Sequence, residues 1–137
     1  MKRFIPSIKV ALYLIADEFD LDRVTEMIGV IPTETRTRES FPRQSISAGI
    51  AKSEWSVEIM QENCIAVSTL FEELLMVLKG KEDIIRRVCE DFCIDTGFLV
   101  VIHMKDGDSP EVILPREVIS FAAAIRAEIG FDIYCYE

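Results

Sequence analysis

Two stretches of the chain are apolar on both faces of an extended strand. In Ile8–Ala16, Val10, Leu12 and Leu14 alternate with Ala11, Tyr13 and Ile15, and in Phe98–Met104 (FLVVIHM) nearly every position is apolar. A strand covered on both sides sits centrally in its sheet, so both are predicted to be inner strands. Ser53–Gln61 alternates instead, with Trp55, Val57 and Ile59 inward. Elsewhere the period lengthens to that of a helix. Leu21, Val24, Met27 and Ile28 form the stripe of a short helix capped by Asp20 and stopped by Gly29. Thr69 with Glu72 reads as a capping box opening a helix that carries Leu70, Phe71, Leu74, Leu75 and Leu78. Gly80 interrupts, and Glu82–Cys93 is a further helix burying Ile84, Ile85, Val88 and Phe92.

The last stretch has the clearest pattern. Pro115 suits the start of a helix, Val118, Phe121, Ala122, Ile125 and Ile129 make its apolar face, and Gly130 reads as its stop. Phe131, Ile133 and Cys135 then alternate with Asp132, Tyr134 and Tyr136, as in a half-buried strand. Before it, Asp106-Gly107 predicts a hairpin turn with Glu111–Leu114 as the returning strand. Thr33–Glu39 reads as a polar edge strand, and residues 40–52 as a long loop. The order β-α-β-β-α-α-β-β-α-β over a single domain, residues 1–137, predicts an α+β fold. Its form is a two-layer sandwich, a mostly antiparallel sheet with helices on one face. Residues 21–33 and 116–134 follow the same plan, which suggests an internal duplication.

Composition narrows the function classes. With 137 residues, half of them hydrophobic, the chain can bury a substantial core. The net charge of −9 argues against a nucleic-acid binder that neutralises phosphates, and would steer a basic protein partner to the surface. No apolar run reaches the roughly 20 residues of a membrane span. The basic start before Ile8–Ala16 is a poor signal peptide, because Lys9 interrupts the run and no small-x-small site follows. Cys64, Cys89, Cys93 and Cys135 contain no C-x-x-C pair and read as free thiols in a reducing, cytoplasmic setting.

Candidate chemistry is sparse. His103, the single histidine, lies inside an apolar run and reads as a satisfied histidine in or beside the core, since a catalytic one needs a positioned partner. Cys89 and Cys93 share a helix face but lack a second ligand pair for zinc. Asp17, Glu18, Asp20 and Asp22 lack the spacing of a calcium loop, and helix capping accounts for two of them. Arg36, Arg38 and Arg43 gather in an otherwise acidic chain, and Arg36 and Arg38 would point to one face of a strand. Such a pair can fork onto a carboxylate or phosphate. No phosphate loop, dinucleotide fingerprint, nucleophile elbow or zinc-protease helix occurs, so no cofactor or metal is expected and the reading leans away from an enzyme.

Three segments, VALYLIADEFDLDRVTEMIGVIPT, SEWSVEI and ILPREVISFAAAIRAEIGFDIYCYE, resemble the bacterial domain of unknown function 4279 family over about residues 8–136. The pieces that carry the resemblance are Gly29 and Pro32, Trp55, and Asp132-Ile133-Tyr134. It implies the same α+β sandwich and brings no catalytic residues. Small acidic domains of this kind are similar to immunity proteins, which bind and block a toxin. The expectation is therefore a non-catalytic protein-binding module, an immunity protein covering a basic toxin, with Arg36, Arg38, Arg43, Trp55, Asp132 and Tyr134 as candidate binding residues. The alternative is a small-molecule-binding domain or an enzyme with an unfamiliar site, using residues 36–43 or Asp132 with Tyr134. A homo-oligomer joined through the polar edge strand is a third.

Overall fold

The computed structural model describes residues 5–137. Strands β1 (Ser7–Ala16), β2 (Glu34–Arg36), β3 (Ser53–Gln61), β4 (Asp95–Lys105) and β5 (Glu128–Tyr136) form a sheet in the order β2-β3-β1-β4-β5. β3 and β4 flank β1 antiparallel and β2 is antiparallel to β3, whereas β5 runs parallel to β4. The fold is α+β, with helices α1 (Leu21–Ile28), α2 (Arg43–Ser47), α3 (Val67–Val77), α4 (Glu82–Phe92) and α5 (Arg116–Ile125). The basic start of the chain, residues 1–4, lies outside the described residues.

The core lies between the sheet and its helices. Ile8, Val10, Leu12 and Leu14 of β1 meet Trp55 and Val57 of β3 and Phe98, Val100 and Ile102 of β4 on one face. Over them pack Val24, Ile28, Leu70, Phe71, Leu74, Ile85, Val88, Val118 and Phe121 from the helices. Phe98 is the hub, edge-on to Phe71 at 5.6 Å and to Phe121 at 6.1 Å between ring centres. Both doubly apolar stretches are inner strands, as their patterns predict. Asp20 caps α1 by accepting from the Arg23 N–H at 3.0 Å, and Gly29 closes it in the left-handed region.

The structure corrects several element expectations. Residues 40–52 are not all loop: a 3-10 turn covers Arg38–Ser40, and Pro42, with its fixed φ, leads into α2. The Thr69–Glu72 box does not open α3. That helix begins at Val67, whose N–H donates to the Glu111 carbonyl at 3.0 Å while the Glu111 N–H donates to Ile65. A tertiary bridge thus supplies what the side-chain cap would have. The same bridge is the whole sheet-like content of the expected strand Glu111–Leu114. Asp106 and Gly107 do take positive φ, but the flank of β4 is occupied by β5, with the Asp106 N–H on the Tyr136 carbonyl at 2.8 Å. The chain crosses through α5 instead of forming a hairpin.

α5 stops at Ile125, with Arg126 in the left-handed conformation, four residues before the expected glycine. Ile129 and Gly130 belong to β5. Nor is β5 half-buried. Phe131, Ile133, Tyr134 and Tyr136 are all exposed, because α5 packs on β4, α3 and α4 and leaves the outer strand bare past Ile129. The two ends also differ in connection: β3 separates β1 from β2, whereas β5 lies directly beside β4. No helix among the described residues is long and apolar enough to cross a membrane.

Candidate functional site

Residues of β1 that alternate with the core positions face away from the helices. Tyr13 is one of them, opposite Ser56 on β3 and Gly97 on β4. Gly97 in turn lies opposite Glu128 of β5, and Ile15 lies between Glu54 and Asp95. The antiparallel registers of β1 with β3 and β4, and the parallel one of β4 with β5, therefore bring carboxylates from β3, β4 and β5 around one tyrosine at one end of the open face. The Tyr13 ring lies directly over Gly97, where a Cβ would collide with its hydroxyl oxygen and ring carbons. The Thr96 hydroxyl fixes the backbone there by donating to the Tyr13 carbonyl at 2.8 Å. Burial raises the Tyr13 phenol above its ordinary pKa, and Glu128, Asp95 and Glu54 add to the rise. It stays protonated, a donor facing carboxylates.

Below this patch, at the same end of the sheet, is a cavity of about 530 Å³. Tyr13, Ile15, Asp95 and Glu128 line it from the sheet, Arg86, Cys89 and Glu90 from α4, and Ile125 and Arg126 from the end of α5. Both helices terminate near it, with Cys93 and Arg126 in the left-handed region, so their negative ends add to the carboxylates. Arg86 is paired with Glu90 at 3.0 Å. Counting lining charges, Arg86 and Arg126 stand against Glu90, Asp95 and Glu128, and the surplus is acidic. Burial, with Asp95 and Glu90 close by, pushes the Cys89 thiol up to about 11, so it is no thiolate nucleophile at neutral pH. Among the described residues no group of three or more His, Cys, Asp and Glu side chains is placed to hold a metal ion. The arrangement is suited to holding a cation.

The residues singled out in the sequence fall in separate places. Arg36 and Arg38 do not share a strand face, since β2 ends at Arg36 and Arg38 enters the 3-10 turn. Arg36 lies over the Phe41 ring at 4.3 Å, and the Arg38 guanidinium is 3.8 Å from Glu18. Arg43 is exposed at the start of α2. Trp55 is completely buried, its indole N–H donating to the Thr25 hydroxyl at 3.0 Å, and so offers no surface to a partner. Asp132 and Tyr134 are exposed on the open face of β5, at the opposite sheet edge from the arginines. There Tyr134 stacks on His103 at 4.8 Å, and His103 Nδ1 is 2.9 Å from the Tyr136 hydroxyl. His103 is thus partly exposed on an aromatic ladder, on the face of β4 that turns away from the helices.

A family model described as domain of unknown function (DUF4279) matches residues 6–136. The chain belongs to that family. No curated protein and no solved structure gives a significant match. Membership in DUF4279 thus carries a fold-length resemblance and no assigned chemistry, and functional argument rests on the open face and the cavity beneath it. Tyr13, Glu54, Asp95 and Glu128 were missed in the sequence because only the strand register assembles them.

Proposed function

We propose that this DUF4279 chain is a non-catalytic binding module whose acidic open face receives a basic partner protein, in the manner of an immunity protein covering a toxin. One observation carries the reading. The ion pairs among the described residues, Lys9–Glu58, Arg38–Glu18, Lys52–Asp17 and Arg86–Glu90, leave Glu54, Asp95 and Glu128 unpaired around Tyr13. Three carboxylates held on strands without an ion pair, though Arg36 lies across the β2–β3 register from Glu54 and Arg126 lines the cavity with the other two, favour lysine or arginine side chains and speed their approach. The net charge of −9 extends the same preference over the whole surface.

The test is co-expression with a basic toxin encoded beside this chain: the chain protects cells, and the triple variant Glu54→Gln/Asp95→Asn/Glu128→Gln, still folded, protects less. Unchanged protection by that variant would place the interface elsewhere. The 530 Å³ cavity supports a second reading, a small organic cation as ligand, since its size is that of a small-molecule site. Calorimetric titration with arginine and polyamines distinguishes the two.

A further inference from the structure

The two edges of the sheet are built differently. β2 is three residues long, charged and exposed, the kind of edge that discourages strand addition. β5 is nine residues long and carries Phe131, Ile133 and Cys135 on the helix-side face and Tyr134 and Tyr136 on the other, all exposed. The Tyr136 carbonyl accepts from Asp106, so alternate residues turn their peptide groups toward β4. Those of Phe131, Ile133 and Cys135 therefore point to the free edge. A long edge with apolar side chains on both faces is a template for another strand.

We propose that the occupant is β5 of a second copy of this chain, joined antiparallel about a two-fold axis through Ile133. The argument for a second copy is that the strand complements itself in this register. A two-fold axis perpendicular to the sheet keeps like faces together, so residues whose numbers sum to 266 lie opposite each other. Phe131 then faces Cys135 of the second copy in a hydrogen-bonded pair, and the two Ile133 side chains meet, giving one apolar row on the helix side. On the open side Tyr136 of the second copy covers Gly130, a pairing in which an aromatic ring shields a strand glycine. Asp132 faces the hydroxyl-bearing Tyr134 of the second copy. A shift placing the axis through Asp132 sets two carboxylates side by side at the closest cross-strand spacing, which is unfavourable. Glu128 lies beyond the paired residues, so the acidic patch stays open in both copies and faces the same side. The inference does not depend on the proposed function.

Sedimentation equilibrium of the full chain tests it, with two variants. The unmodified chain is expected at twice 15.6 kDa. Ile133→Lys puts like charges on the axis and is expected to return the mass to 15.6 kDa with an unchanged circular dichroism spectrum, since Ile133 is 56% exposed. Phe131→Cys is expected to form an intermolecular disulfide with Cys135 on mild oxidation, because opposed hydrogen-bonded pairs have the Cα spacing a disulfide needs. A monomeric mass for the unmodified chain at its highest soluble concentration overturns the proposal. So does a dimer that survives Ile133→Lys, or a Phe131→Cys chain that forms no disulfide.

Discussion

Gly97 is the residue on which the open face depends. Its missing side chain admits the Tyr13 ring, and so sets the phenol among the charges of Asp95 and Glu128 on β4 and β5. Gly97→Ala must displace that ring or the strand. Overpacking of this kind costs about 1–3 kcal/mol, readable as a lowered denaturation midpoint. The phenol gives a second expectation. Its pKa is raised, so the stability tied to its protonated form is complete below about pH 10 and is lost as pH rises through the folded value. Tyr13→Phe should flatten the alkaline limb of a stability-against-pH curve, and an unchanged limb would mean that the phenol is not held as described. None of this was visible in the local sequence, where Gly97 is one glycine before an apolar run and Tyr13 one aromatic within another. Trp55, by contrast, was legible as inward from alternation, and burial in the core follows the same logic.

At the scale of elements, the apolar periods located α1, α3, α4, α5 and the inner strands, though not the short α2, because burial on a face is a local property of the pattern. Ends and pairings were another matter. α5 closes on Arg126, whose N–H bonds back to the Ala122 and Ala123 carbonyls, although arginine gains nothing from the left-handed conformation it must adopt. Gly130 looked like the stop because glycine favours that conformation, but the strand pairing of Ile129 with Phe98 claims the residues before it. Arg126→Gly should therefore be neutral or stabilising by up to about 1 kcal/mol, measured by thermal unfolding. A loss of more than that would show that the arginine side chain holds the cavity wall. The hairpin expected after Gly107 failed for a similar reason: the turn residues do take positive φ, yet a distant strand, β5, holds the place the return strand would need.

For the whole molecule, the fold class followed from the alternation of elements, while strand order and the parallel β4–β5 pair did not, because both depend on contacts far apart in sequence. The candidate site belongs to this scale. Arg36, Arg38 and Arg43 stand out in the sequence by composition, but they lie on and after the edge strand β2, where Arg36 sits across from Glu54 and over Phe41 and Arg38 pairs with Glu18. The acidic patch exists only once β3, β1, β4 and β5 are in register. Electrostatic recognition there should weaken as salt rises, since exposed charges are screened within about 10 Å at 0.1 M ionic strength. The most direct measurement is the amide shift map of the chain titrated with an arginine-rich peptide at low and high salt. Shifts should gather on Tyr13, Glu54, Asp95 and Glu128, fade with salt, and weaken about 10- to 100-fold in affinity in the Glu54→Gln/Asp95→Asn/Glu128→Gln variant. Shifts spread evenly over the acidic surface, or unchanged affinity in that variant, would contradict the account.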